Sequence, residues 1–253
     1  MSAVSSSVKN SEKEILVSAF VASTEEEVLE CQKLRFDVFS GEMGANIKTD
    51  RPGIDYDYFD EFCKHLYVRH NETGKVIATT RVLTSDKAKL AGKYYSQSEF
   101  DLKNIISLPG TFLEIGRTCV RHEYRTGAAI NALWQCVAGV LAQSDADYLF
   151  GCYSIPMLDS GRYVTALMEF VREKYYAPET YRVLPQQPVV SAKVSDKLDV
   201  VLPSLLKRYL NMGAFVCGEP CFDRDFNTAD LFILLDRSKI NKRYVRHFLS
   251  NKA

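Results

Sequence analysis

Apolar residues along this chain recur at two spacings, every second position and every third to fourth, the signatures of half-buried strands and amphipathic helices. Ile15 to Val21 alternates loosely and predicts a first strand. Thr24-Glu-Glu-Glu27 follows as a capping box with an acidic first turn, so a helix is expected to run to about Phe39. Val28, Cys31, Leu34 and Val38 would face the core, with Arg35 and Phe39 on a neighbouring face. His65 to His70 and Lys75 to Thr84 predict a hairpin around Asn71-Glu-Thr-Gly74, and Ile77, Thr79, Arg81 and Leu83 share one face of its second strand. Leu113 to Val120 reads as a further strand although it carries Glu114 and Arg117. After Arg125-Thr126-Gly127, the residues Ile130, Leu133, Trp134, Val137, Val140 and Leu141 fall at helical spacing.

Asp147 to Ser154 predicts a strand parallel to the one before that helix, a βαβ crossover. Val164, Leu167, Met168 and Val171 mark another helix, and Leu205 to Met212 a last one, stopped at Gly213. Strands at Ala214 to Cys217 and Leu231 to Leu235 close the pattern. Residues 1–13 are polar and expected to be disordered; 41–62 and 178–203 are long irregular segments. The order is α/β (α+β): a mixed central sheet, antiparallel at both ends and parallel in the middle, flanked by helices.

Composition narrows the class. With 46% hydrophobic and 25% charged residues among 253, the chain is an ordinary globular protein, expected to form a single domain over 14–253. Its 32 basic and 32 acidic residues cancel, so bulk charge argues neither for nucleic acid nor for a strongly anionic partner, and no nucleic-acid partner is expected. After Asp236, Arg237, Lys239, Lys242, Arg243, Arg246 and Lys252 face no acidic residue. This tail is either a solvated face or a dock for an acidic protein or an anionic membrane surface. Seven cysteines occur without a C-x-x-C pair or zinc spacing, so no metal site is expected. Lacking an apolar leader or a run long enough to span a bilayer, the chain is expected in the cytoplasm, with peripheral contact at the inner membrane face as an option.

Leu113 to Ile130 concentrates the candidate chemistry. A strand entering a helix whose first turn holds Gly127, Ala128 and Ala129 offers bare backbone N–H groups to a phosphate-bearing ligand, with Arg125 and Thr126 alongside. A carboxylate on the preceding strand, Glu114, would lie close to such a ligand, a place suited to acyl transfer. In a regular strand Glu114 and Arg117 point to opposite faces; a bulge near Gly116 would bring both to one site.

Tyr124-Arg-Thr-Gly-Ala-Ala129 resembles the acyl-carrier cradle of GNAT-type N-acyltransferases, with Tyr124 where Arg or Gln is usual. The ordered set Arg35, Phe39, Asp57, Asp60, Arg81, Glu114 and Arg117 is similar to the charged set of acyl-homoserine-lactone synthases. From about Val17 to Phe248 the chain most resembles the hemolysin-like ornithine N-acyltransferases of ornithine-lipid synthesis. Leu34-Arg-Phe-Asp-Val-Phe39, Asp57-Tyr-Phe-Asp60, Leu113 to Val120, Phe150-Gly-Cys-Tyr-Ser154, Pro203 to Leu210 and Phe226-Asn-Thr-Ala-Asp230 carry that likeness.

The resemblance implies a GNAT-like acyl-CoA N-acyltransferase fold with splayed middle strands. It implies transfer of a 3-hydroxyacyl chain from the phosphopantetheine of acyl carrier protein, or from acyl-CoA, to the α-amine of ornithine, with no permanently bound cofactor. Glu114 would be the base, and Arg35, Asp57, Asp60, Arg81 and Arg117 would bind substrate. Arg125, Thr126, Gly127, Ala128 and Ala129 would hold the phosphopantetheine, and backbone N–H groups at the splay would meet the oxyanion. Cys119 and Cys152 need not act as nucleophiles.

Other readings stay open beside these. The acceptor could be glycine or a similar amino acid, the enzyme a homoserine-lactone synthase, or the chain a carrier-protein or membrane binding module. The charged set could be an ion-pair network ordering 41–62. Trp134 reads as core rather than acyl-chain lining. Tyr153 reads as packing or as an acid for the leaving thiolate, His65 as a hydrogen-bonded strand residue, and Asp223 and Asp230 as loop caps.

Overall fold

The computed structural model describes residues 4–6, 16–125, 127–190, 192 and 199–240. Along the chain the elements are β1 (Val4–Ser6), β2 (Val17–Val21), α1 (Glu25–Phe36), β3 (Lys64–His70), β4 (Val76–Thr84) and α2 (Ser85–Leu90). Next come β5 (Phe100–Asp101), α3 (Lys103–Ile106), β6 (Phe112–Val120), α4 (Gly127–Gln143), β7 (Tyr148–Pro156) and α5 (Arg162–Lys174). The chain closes with β8 (Leu184–Pro185), α6 (Ser204–Met212), β9 (Phe215–Val216), β10 (Cys221–Asp223) and β11 (Thr228–Asp236). These elements divide into two compact units, one built mainly from residues up to 91 and from 115–145, the other from 92–114 and 146–246.

In the first unit β1, β2, β3, β4 and the later part of β6 lie side by side, with β1 to β4 antiparallel in sequence. Within the stretch 1–13, Val4–Ser6 pair with β2, and the other residues lie outside those described. Every residue of β4 from Val76 to Leu83 is buried, so both of its faces are covered. Helix α1 packs on β3 and β4, and α4 on β2, β3 and β4. The buried positions of α4 are Ala129, Ala132, Leu133, Val137 and Val140, small side chains that let the helix lie close to the sheet. Trp134 sits at the margin of that face, half-buried.

Thr24 caps α1 as the sequence predicts, with Glu27 reaching back to complete the box. The α-helical part ends at Phe36 rather than Phe39, and one π-helical turn, Asp37–Glu42, carries the chain on. The wider turn keeps Val38 and Phe39 buried.

In the second unit the first residues of β6 pair in parallel with β7, in register from Phe112↔Tyr148 to Glu114↔Phe150. That pairing ends at Glu114, and the rest of β6 belongs to the first unit. Antiparallel pairing of β7 with β11 runs from Thr228↔Pro156 to Asp236↔Tyr148, and β9 and β10 pair with β11 as well. Period-2 alternation gives β11 two different faces. Leu231, Ile233 and Leu235 join Val164, Leu167 and Leu206 of the helices in one apolar core. Asp230 and Phe232, beside Ser154 and Cys152 of β7, occupy the other face, where Phe100 meets Phe232 at 5.7 Å between ring centres.

Candidate active site

Charge in the first unit converges on the segment 55–60. Arg35 is 1% exposed and sends Nε to Asp55 Oδ2 at 2.7 Å, Nη1 to Asp60 Oδ1 at 2.9 Å and Nη2 to Asp60 Oδ2 at 2.7 Å. Its Nη2 also donates to the Asp55 carbonyl. Arg81 Nη1 bridges Asp57 Oδ1 at 2.6 Å and Asp60 Oδ1 at 3.0 Å. Arg117 stands farther off, with Nε 3.7 Å from Asp55 and Nη2 3.6 Å from Asp57. Asp57 and Asp60 are also the first and last members of a capping box on the 3-10 turn Tyr58–Glu61. The irregular segment is thus pinned by side chains from α1, β4 and β6.

Three arginines and three aspartates balance in this cluster. Burial works against ionisation of Asp60, but hydrogen bonds and charge from Arg35 and then the Arg81 charge win, and its carboxyl is held well below the usual range. Asp57 is lowered in the same way, burial being outweighed by Arg81. Both guanidinium groups gain: burial opposes their charge, and Asp60 and Asp57 more than restore it. His65 Nε2 donates to the Asp60 carbonyl at 3.1 Å, and burial pushes this histidine toward its neutral form. Among the described residues its Nδ1 has no hydrogen-bond partner.

Arg35, Asp60 and Arg81 are therefore interior, and the sequence-predicted set comes together as a network that orders 55–60. Asp57 and Arg117 keep an exposed edge, with side chains 23% and 14% exposed. Sequence reasoning placed Asp55 in the loop but outside the set; an acid in an aperiodic segment carries no signal of which arginine it will meet. Gln32, donating to Asp60 Oδ2 at 3.3 Å, was missed for the same reason.

The irregularity expected near Gly116 lies one residue on. Arg117 has φ of 50°, left-handed backbone within a strand, a conformation that costs a non-glycine residue about 1–2 kcal/mol. Thr80 Oγ1 donates to the Gly116 carbonyl at 3.1 Å beside it.

The start of α4 presents Gly127 exposed, Ala128 half-buried and Ala129 buried; Thr126 lies outside the described residues. A Cβ built on Gly127 meets only Asn131 Nδ2, at 3.7 Å, so nothing within the described chain demands glycine there. Arg125 donates to the Val120 carbonyl at 3.1 Å and pairs with Glu42.

Glu114 belongs to the second unit and is 3% exposed. Its Oε2 accepts from the Tyr95 N–H at 2.8 Å, and its Oε1 from Ser96 N–H at 2.7 Å and Ser96 Oγ at 2.5 Å. The 3-10 turn Tyr95–Ser98 thus aims two backbone donors and a hydroxyl at this carboxylate. Ser96 Oγ lies 3.4 Å from Cys152 Sγ, and Cys152 in turn groups with Glu99 and Asp230, their ligand atoms within 4.8 Å of one another. Burial, then the charges of Glu99 and Asp230, push the Cys152 thiol well up, and burial alone dominates at Cys119. Neither is a ready thiolate nucleophile.

Tyr153 packs against the helical core, its hydroxyl pushed up to about 12 by burial. Asp223 does cap its loop, accepting from the N–H groups of Asp225 and Phe226. Asp230 does not: it sits within β11, buried on the sheet, and accepts from Thr228 Oγ1 at 2.9 Å. Of the basic tail, Arg237 and Lys239 are tied to the Ala146 carbonyl and to Asp236, and Lys242, Arg243, Arg246 and Lys252 lie outside the described residues. Among the described residues no helix is long and apolar enough to cross a membrane.

Residues 34–135 match the acetyltransferase (GNAT) domain family. The L-ornithine N(alpha)-acyltransferase of Rhizobium meliloti is 32% identical over 245 residues, covering 90% of this chain and 82% of the relative. That of Rhodobacter capsulatus is 32% identical over 251 residues, covering 92% and 94%. Among solved structures, FeeM, an N-acyl amino acid synthase from uncultured soil microbes, superposes with a TM-score of 0.54 at 12% identity over 90% of this chain and 96% of its own. The CoA-dependent acyl-homoserine lactone synthase BjaI gives 0.54 at 16% identity, over 93% and 89%. These structural likenesses establish a fold.

The mixed sheet with its parallel middle pair gives the fold, residues 34–135 match the GNAT domain, and the curated relatives make the chain an N-acyltransferase. Within that class the chain belongs to the L-ornithine Nα-acyltransferase family.

Proposed function

We propose that the enzyme moves a 3-hydroxyacyl chain from the phosphopantetheine thioester of an acyl carrier protein to the α-amine of ornithine, the step that opens ornithine-lipid synthesis. Kinship along nearly the whole chain with relatives that bear the ornithine acyltransferase name carries this reading. Tyr124, in place of the cradle's usual Arg or Gln, supports a donor held by its pantetheine arm rather than by a full coenzyme A. The N–H groups from Gly127 to Ala129, with Arg125 and Thr126, would hold that arm.

Glu114 is the base in this scheme. An amino acid's α-amine is largely protonated near neutral pH, so a proton must leave before attack on the thioester. It can pass to Glu114 directly or through the Ser96 hydroxyl, which already donates to Oε1. The free amine then adds to the thioester carbonyl, and the tetrahedral intermediate expels the pantetheine thiolate, which ends as the thiol by taking up the proton that the nitrogen loses as the amide forms. Arg117 and Asp57, the exposed members of the charged cluster, would touch substrate, while Arg35, Asp60 and Arg81 hold them in place. Residues 237–252 would supply a basic edge for the carrier protein or an anionic membrane.

Incubation of purified protein with ornithine and 3-hydroxyacyl carrier protein, read by mass, tests the scheme. N-acyl-ornithine is expected. Acyl-glycine alone would overturn the acceptor, and product from acyl-CoA but not from carrier protein would overturn the donor.

A further inference from the structure

The second unit buries two acids that lack a counter-charge. Asp230 on β11 is 4% exposed and Glu99, just before β5, is 9% exposed. Asp55, Asp57 and Asp60 each face arginine, but among the described residues neither Glu99 nor Asp230 enters an ion pair. Among the described residues Glu99 Oε2 is a buried atom with no hydrogen-bond partner, while the Glu99 side chain interacts with Asp230 and Cys152. Asp223, partly exposed, adds a third negative charge felt by both. Burial, and next the Asp230 charge, hold the Glu99 carboxyl well above its ordinary range, and burial raises Asp230 as well. Buried together, the two carboxyls favour their protonated forms, and a cation placed between them would let them ionise.

Position makes the pair informative. Ser96 Oγ touches Glu114 Oε1 on one side and Cys152 Sγ on the other, and the Cys152 sulfur lies against both acids. A base for one amine and an acidic pair are thereby separated by one hydroxyl and one thiol, on a single face of the β7–β11 sheet. That is the arrangement a diamino acid needs, with one nitrogen at the base and the other neutralising the acids. An ammonium needs only acceptors, which the two carboxyl groups supply.

We propose that Glu99 and Asp230 form the subsite for the side-chain ammonium of the acceptor and so determine specificity for a diamino acid. This rests on the acyltransferase reading above, with Glu114 as the base. The carboxyl of Glu99 is already held neutral, so Glu99→Gln replaces one neutral group by another of the same shape.

The test compares ornithine with norvaline, which has the same carbon chain and no terminal amine, in wild type, Glu99→Gln and Asp230→Asn. Wild type should favour ornithine in kcat/KM. Each variant should cut that preference by roughly 10- to 100-fold, mainly through KM for ornithine, as for loss of a charged hydrogen bond. A structural role would lower both substrates in parallel, and an unchanged ratio overturns the proposal. Should Asp230→Asn not fold, Glu99→Gln and the wild-type preference still decide, since a wild-type ratio near unity overturns it alone. If wild type uses lysine or 2,4-diaminobutyrate instead, and its preference over norleucine or 2-aminobutyrate depends on Glu99, the ornithine reading falls and this subsite stands. Turnover of glycine alone, or a stoichiometric metal lost in Glu99→Gln, would overturn the subsite.

Discussion

At the scale of single residues, Asp60 and Glu114 show two uses of a buried carboxylate. Asp60 answers Arg35, Arg81, Gln32 and the Asp57 N–H together, so removing any cation strands charge. Arg81→Met should cost about 3–5 kcal/mol, as for breaking a buried ion pair, read from the denaturant midpoint. Adding Asp57→Asn should recover part of it by removing a stranded charge, and independent, additive effects would refute the coupling. Glu114 answers two backbone N–H groups and a hydroxyl. In Glu114→Gln the amide NH₂ must face one of those N–H groups, so a loss of about 1–3 kcal/mol should accompany the change. Turnover should fall by roughly two to four orders of magnitude in single-turnover assays, and Ser96→Ala should lose less. Near-normal turnover in Glu114→Gln would remove it from the chemistry.

At the scale of elements, the start of α4 separates stability from function. A methyl at Gly127 has room, and alanine is the better helix former, so Gly127→Ala should leave the thermal midpoint unchanged or raise stability by about 0.5–1 kcal/mol. If the turn receives the donor, KM for acyl carrier protein should rise nonetheless; an unchanged KM would return Gly127 to the scaffold. Elements of this kind were legible in the sequence where a local rule states them. Thr24 and Glu27 cap α1, the β3–β4 hairpin follows its alternation, and Gly213 ends α6 with φ of 103°. Features set by tertiary partners were not legible. The π turn after Phe36 depends on burying Val38 and Phe39, and the left-handed backbone falls on Arg117, next to a glycine that would have taken it without strain. Of the site, the arginines and Glu114 were visible as charges inside apolar strands or helices. Asp55 and the Glu99–Asp230 pair were not, because their partners lie far away in sequence and no spacing joins them.

At the scale of the whole molecule, two sets of buried carboxylates should respond to pH with opposite sign. Asp57 and Asp60 have lowered pKa values when folded, so the unfolded chain binds more protons in acid. Their stabilisation is complete at neutral pH and is lost as pH falls below the ordinary aspartate value of about 4. His65, held neutral by burial, adds to this acid loss once pH drops below the free histidine value of about 6.5. Glu99 and Asp230 have raised values, so the folded chain holds the extra protons. Their contribution is complete below the ordinary carboxylate range, about 4, and declines as pH rises toward the raised values. Asp57 and Asp60, together with the lowered Glu219 and Asp236, therefore shape the acid limb of the stability curve, and Glu99 and Asp230 weigh on its alkaline limb. Calorimetric midpoints from acid to mildly alkaline pH, for wild type, Glu99→Gln and Asp57→Asn, should resolve them. Glu99→Gln should flatten only the alkaline limb and Asp57→Asn only the acid one. Saturating ornithine should do in wild type what Glu99→Gln does by mutation, since a bound ammonium lets both acids ionise, whereas norvaline should leave the alkaline limb as it was. Parallel displacement of the whole curve by either variant would mean that these carboxylates are not titrating as their surroundings require.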